Sequence, residues 1–150
     1  MNYVQVVDIL ENHAIEKIAL ERQLSELNAE YAADLDEIRN RVYPKAQVYD
    51  TDKIQAAPKP IDERYAAMIA AVDLRRERYE QETRLIKRRL TEIQTVYTTI
   101  HQLNATDKVV LLNLYYPYQT IEQVAEMMGL DRSTIRNRKK TALENLLKKI

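Results

Sequence analysis

Apolar residues recur every three or four positions along the first third of the chain. No proline or glycine interrupts the sequence between Tyr3 and Val42. A row of apolar side chains runs through this segment, namely Leu20, Leu24, Leu27, Tyr31, Leu35, Ile38 and Val42. This spacing gives a helix one apolar face, and acidic residues fill the positions between. We predict a helix over about 3–42 that ends before Pro44, because proline disfavours helical backbone at the preceding residue.

A second apolar row follows, and its steps alternate strictly between four and three residues. Asp62 has the side chain of an N-cap, so we predict a second helix over 62–104. Twelve consecutive positions of this helix fit a coiled-coil heptad: Tyr65, Ile69, Val72, Arg76, Tyr79, Thr83, Ile86, Leu90, Ile93, Tyr97, Ile100 and Asn104. The segment 44–61 holds three of the four prolines and no apolar period, which predicts a connector.

Each of these helices needs a partner for its apolar row. A helix of about forty residues is roughly 60 Å long and must bury its row against another long helix. An antiparallel hairpin within one chain satisfies both rows, and so does a homodimer between chains. We predict a long coiled-coil hairpin over 1–104 and expect a homodimer through the long helices, but the sequence alone does not separate intramolecular from intermolecular pairing.

The remaining residues, 105–150, divide into three short segments. Each segment follows a residue that can cap a helix: 107–116 after Thr106, 121–128 after Thr120, and 132–149 after Asp131. Pro117 and Gly129 mark the turns. The predicted fold class is therefore all-α, with a long two-helix coiled-coil hairpin followed by a C-terminal tri-helical module.

The second and third short segments fit a helix-turn-helix motif position by position. Ala125 is small where the two helices would cross most closely, and Gly129 can adopt the positive φ that the tight turn requires. The other internal positions are apolar: Val124, Met128, Leu130 and Ile135. These six residues are predicted to hold the second helix at a steep angle to the first.

Charge distinguishes the end of the chain from the rest. The whole chain is formally neutral, with 23 basic and 23 acidic residues, whereas 131–150 carries seven basic and two acidic residues, a net charge of +5. The face of the last helix that is not used for packing presents Arg132, Ser133, Arg136, Asn137 and Lys140, with Thr134 and Lys139 on its flanks. Arginine can bridge two acceptors of guanine, and asparagine can pair with adenine. We predict that these seven residues bind double-stranded DNA, with the helix 132–149 in the major groove.

A family resemblance rests on these residues. The run Leu112-Asn113-Leu114-Tyr115-Tyr116, the segment 120–137 and the later Ala142-Leu143 resemble region four of bacterial sigma factors, which reads an upstream promoter element. The resemblance places Arg132, Arg136 and Asn137 at promoter-contacting positions and implies RNA polymerase as a further partner. This chain departs from the family at Arg138, where an aliphatic residue is usual, and at Lys139, where an acidic residue is common.

The chain has no counterpart of the aromatic and basic helix with which a sigma factor opens promoter DNA, so it is not a complete sigma factor. Its arrangement is similar to the late transcriptional regulators of phages and prophages of the ArpU and RinA type. A sigma-like reader would recognise one asymmetric site, whereas a symmetric pair of modules would recognise half-sites spaced by about 10 bp or a multiple of it.

Several function classes are disfavoured by composition. The chain has no cysteine and a single glycine, so thiolate chemistry, cysteine-based metal sites and glycine-rich phosphate loops are excluded. His13 and His101 have no partner at metal-ligand spacing. We expect no enzymatic activity, no cofactor and no metal. The chain has no apolar stretch long enough to span a membrane, which predicts a cytoplasmic protein without membrane contact.

Two other functions remain open from the sequence. A small terminase subunit of a phage DNA-packaging machine also joins a helix-turn-helix to coiled-coil helices, although that family more often puts the DNA-binding module first. A helical protein-interaction adaptor would use the same fold without touching DNA.

Overall fold

A computed structural model describes residues 1–42 and 61–150. Over these residues the chain forms five helices and no strand: α1 (Tyr3–Val42), α2 (Ile61–Ile100), α3 (Ala105–Tyr115), α4 (Ile121–Met128) and α5 (Arg132–Lys149). The predicted all-α fold, with two long helices that pack together and three short ones, is confirmed. No helix in the described part is long and apolar enough to cross a membrane. The predicted connector lies outside the described residues except for Ile61.

Three predicted helix ends are corrected by the structure. Helix α2 begins at Ile61, so Asp62 lies in the first turn, where its charge favours the positive helix end. Helix α2 ends at Ile100 and not at 104. Helix α3 is capped by Asn104, whose side-chain oxygen accepts a hydrogen bond from the Asp107 amide at 2.9 Å, and not by Thr106.

The described residues within Glu21–Lys87 form a compact unit, which we call the hairpin unit. Its segments of α1 and α2 run antiparallel, because Asp34 pairs with Arg75 at 2.6 Å while Tyr31 stacks on Tyr79 with ring centroids 4.4 Å apart. The guanidinium of Arg75 also lies over the Tyr31 ring, 5.4 Å from its centroid. Aromatic and charged side chains therefore take part in this interface.

The heptad predicted for α2 does not follow the contact face of the hairpin unit. Arg76 lies on the predicted heptad, yet 55% of its side chain is exposed, and its neighbour Arg75 points inward with only 11% exposed. Tyr65 and Ile69 are exposed as well. In a straight helix with 3.6 residues per turn, positions seven residues apart are rotated by about 20° from one another. A strict heptad row therefore turns away from the face of α2 that contacts α1.

Met1–Leu20 and Arg88–Ile150 form a second compact unit, which we call the five-helix unit. Its core takes Val6, Ile9 and Leu10 from α1. The other helices contribute further buried residues: Ile93, Val96 and Ile100 from α2, Val110, Leu111, Leu114 and Tyr115 from α3, Val124 and Ala125 from α4, and Ile135, Ala142, Leu143 and Leu146 from α5. The predicted boundary between a coiled-coil region over 1–104 and a DNA-binding module over 105–150 remains a prediction. The core around the short helices also includes residues of α1 and of the end of α2.

Arg89 forms ion pairs between the two long helices inside the five-helix unit. Its guanidinium contacts Asp8 at 2.6 Å and Glu16 at 2.5 Å on α1, and Glu92 on its own helix at 3.4 Å. These carboxylates raise the pKa of Arg89 above the usual value for arginine, and the hydrogen bond with Glu16 contributes most. This cluster fixes the register of α1 against α2 beside the shared core.

Candidate nucleic-acid interface

Helix α4 starts at a complete capping box. The Thr120 hydroxyl accepts a hydrogen bond from the Gln123 amide at 3.2 Å, and the Gln123 side chain accepts one from the Thr120 amide at 2.9 Å. Two backbone amides that a helix end leaves unpaired are thereby satisfied. The start of the first motif helix is thus set by residues adjacent in sequence.

The turn between α4 and α5 is built around Gly129. Gly129 adopts φ +66°, which is costly for residues with a side chain, and its amide donates to the Glu126 carbonyl at 3.2 Å. The amide of Leu130 donates back to the Ala125 carbonyl at 2.9 Å, as in a Schellman cap. Asp131 then has the extended backbone of an N-cap, although its side chain makes no cap hydrogen bond. The chain therefore leaves α4 and enters α5 within three residues.

The predicted packing residues other than Gly129 belong to the core of the five-helix unit or pack against it. Val124, Ala125 and Ile135 are buried. Met128 and Leu130 are partly buried and pack against the same core. On α5 the row continues with Ala142, Leu143 and Leu146. One face of α5 is thereby held against the core, and the opposite face is left for a partner.

Most of the residues predicted to bind DNA lie on that opposite face. The structure places five of them in exposed positions: Arg132, Ser133, Arg136, Asn137 and Lys140. Thr134 and Lys139 are half-buried. The Lys139 ammonium lies over the Tyr115 ring of α3, 5.5 Å from its centroid, so this side chain is engaged within the fold.

Arg132 is also engaged, through an ion pair with Glu122 of α4. Both side chains are more than half exposed, so water weakens the attraction. Glu122 therefore orients the guanidinium at the start of α5 while leaving most of it accessible. Arg136, Asn137 and Lys140 are exposed in the next turns of the helix.

Asp107 and its partners were missed by sequence reasoning. Asp107 is buried, and its Oδ2 atom accepts hydrogen bonds from the side-chain amides of Asn104 at 2.9 Å and Asn145 at 2.7 Å. Because Asn145 belongs to α5, this carboxylate ties the second motif helix to the start of α3. The sequence indicates this site only by placing a carboxylate in the first turn of a short apolar helix.

His13 is isolated in the sequence, but in the fold it joins α1 to the segment before α4. It is buried, and its Nε2 donates to the Tyr115 carbonyl at 2.9 Å. Its ring stacks on Tyr116 at 4.2 Å and on Tyr118 at 5.5 Å between centroids. Tyr118 has φ +53°, a strained value for a tyrosine. The turn between α3 and α4 is therefore shaped partly by a side chain from the start of the chain.

Tyr116 carries a testable pH dependence. Its hydroxyl oxygen is buried without a hydrogen-bond partner among the described residues, and burial, reinforced by Tyr97 and Tyr118, raises its pKa above the usual value near 10. Above about pH 10 this tyrosine is ionised in the unfolded chain but stays neutral in the folded chain. The free energy of unfolding therefore falls as the pH rises through this range. Tyr116→Phe should raise the free energy of unfolding by about 1 kcal/mol at neutral pH.

Urea denaturation of both proteins at neutral and alkaline pH measures this effect. The wild type should lose more stability between the two conditions than Tyr116→Phe does. Equal losses would show that Tyr116 ionises as readily in the folded chain as in the unfolded one.

Comparison with known families supports the motif independently of this geometry. Residues 99–148 match the family model of sigma-70, region 4, which is a helix-turn-helix DNA-binding domain. The predicted resemblance to region four is thereby confirmed over the C-terminal part of the chain. No curated protein and no solved structure matches the chain.

Proposed function

We propose that this protein is a transcription regulator that binds double-stranded DNA in a sequence-specific manner through α5. The observation that carries the proposal is the two-sided character of this helix: one face is locked into the core, and the other exposes Arg136, Asn137 and Lys140. The match of residues 99–148 to a DNA-binding domain supports the same conclusion.

The exposed residues divide between base reading and phosphate binding. Arg136 and Asn137 have the donors and acceptors to bind guanine and adenine in the major groove, and Ser133 and Lys140 suit phosphate or mixed contacts. Arg132, oriented by Glu122, lies at the start of α5, where recognition helices contact DNA. Thr134 and Lys139 lie on the flanks, so we assign them supporting contacts.

The two-part architecture supports a role in phage or prophage late-gene regulation, of the ArpU and RinA type. In this role the five-helix unit reads DNA, and RNA polymerase is a partner if the recognised site is asymmetric. Under this proposal the protein acts in the cytoplasm of a bacterial cell, where its DNA target lies.

Salt dependence of DNA binding tests this proposal. In fluorescence anisotropy, the full chain should bind a generic duplex at low salt. With about four to six phosphate contacts, the logarithm of the affinity should fall with the logarithm of salt concentration with a slope of about −4 to −5. The matched single strand should bind more weakly, since α5 fits a groove. Absence of duplex binding at low salt would refute the proposed function and favour a protein-binding adaptor.

A further inference from the structure

The outer face of α1 carries apolar side chains that the fold leaves uncovered. Ile15 and Ile18 are 81% and 70% exposed, although the next residues along the buried face, such as Leu10 and His13, are covered. The long helices α1 and α2 pack together within one chain, so pairing between chains needs a surface that this packing leaves exposed. Ile15 and Ile18 are three positions apart, so they lie next to each other and form one small apolar patch.

The residues around this pair are self-complementary. Glu11, Ile15, Ile18 and Arg22 follow each other at steps of four, three and four, so they form one row on α1. Two such helices can be placed antiparallel about a two-fold axis between residues 16 and 17. Ile15 then lies opposite Ile18 of the second copy, and Glu11 lies opposite Arg22 of the second copy, twice each by symmetry.

We propose that two copies of this chain pair antiparallel through this row. The isoleucines supply buried apolar area, and the two outer Glu11–Arg22 layers select the register and the direction, as charged pairs do between helices. In a parallel pair, Glu11 would face Glu11 and Arg22 would face Arg22, which is repulsive at both layers. Within one chain Arg22 pairs with the exposed Glu26 at 3.4 Å, and such a pair contributes little. Ala14 and Ala19, which flank the isoleucines, are small enough for close approach of the helices.

Charge reversal tests the register directly, in analytical ultracentrifugation of the full-length chain without DNA. The wild type should form a reversible dimer. Glu11→Arg and Arg22→Glu should each raise the dimer dissociation constant at least about tenfold, because each places like charges opposite one another twice. The double variant Glu11→Arg, Arg22→Glu should return the dissociation constant to within about threefold of the wild type.

Leu85→Asp is the matched control, since Leu85 is an apolar residue of α2 that is 73% exposed and lies outside the row. It should leave the dimer unchanged. All substituted residues are exposed, so circular dichroism should show the wild-type helix content. A wild-type chain that stays monomeric at every concentration would overturn the proposal. So would a dimer dissociation constant that Glu11→Arg leaves unchanged, or a double variant that dimerises as weakly as the single variants. This pairing extends the proposed function. Because dimerisation is measured without DNA, the experiment can refute the pairing without refuting DNA binding, and the reverse also holds.

Discussion

Replacing Arg136 and Lys140 together by alanine is expected to abolish sequence-selective DNA binding while leaving the fold intact. Both side chains are exposed on α5, so their removal costs no core packing. An arginine that reads a base contributes about 1 to 3 kcal/mol, and the loss of a phosphate contact adds to this. We therefore expect the affinity for a selected duplex to fall by about 2 to 4 kcal/mol, roughly 30-fold to 1,000-fold, in fluorescence anisotropy.

The control for this variant removes the same charge elsewhere. Arg76 and Arg84 are exposed on α2, and Arg76→Ala, Arg84→Ala should change the affinity little. An equal loss in both double variants would mean that net charge, and not α5, determines binding. If Arg136→Ala alone weakens selected and random duplexes equally, Arg136 contacts a phosphate and not a base.

Leu10→Ala is expected to destabilise the DNA-binding helices, although residue 10 is far from them in sequence. Leu10 is fully buried in the core of the five-helix unit. A leucine-to-alanine change at such a site costs about 2 to 5 kcal/mol, because apolar contacts are lost and a cavity remains. Since the core is shared, urea denaturation should show α3–α5 unfolding earlier, and duplex binding should decline at temperatures that the wild type tolerates.

Leu74→Ala provides the comparison, because it removes the same atoms from a leucine of α2 that is 70% exposed. Its effect should lie within about 0.5 kcal/mol of zero. Unchanged stability and DNA binding in Leu10→Ala would show that residues 105–150 fold without α1. That result would favour the module boundary predicted from the sequence.

Features fixed by neighbouring residues were predictable from the sequence. Thr120 caps α4 through hydrogen bonds with Gln123, and the turn and the start of α5 follow from the backbone conformations of Gly129 and Asp131. The apolar row of α1 was also predictable, because the spacing of three or four residues is visible over a few positions of the sequence. The helix-turn-helix register follows from these signals together, and it places the exposed face of α5 without knowledge of the rest of the chain.

Features that depend on contacts between distant segments were not predictable. The hydrogen bond from His13 to the Tyr115 carbonyl joins residues 102 positions apart, and no local pattern indicates it. The contacts of Lys139 with Tyr115 and of Arg132 with Glu122 likewise arise only once the short helices are packed. The end of α2 was misplaced because Asn104 continues the heptad spacing from Ile100, whereas in the structure it caps α3.

Selection from a randomised duplex pool tests the central claim most directly. The wild type and the Arg136→Ala, Lys140→Ala variant would be incubated with the pool at near-physiological salt, and the retained DNA sequenced. We predict one enriched motif with the wild type and none with the variant. A palindromic motif would indicate that two copies bind together, and an asymmetric motif would indicate the sigma-like mode. No enrichment, with equal retention by both proteins, would contradict the assignment of α5 as a DNA-reading helix.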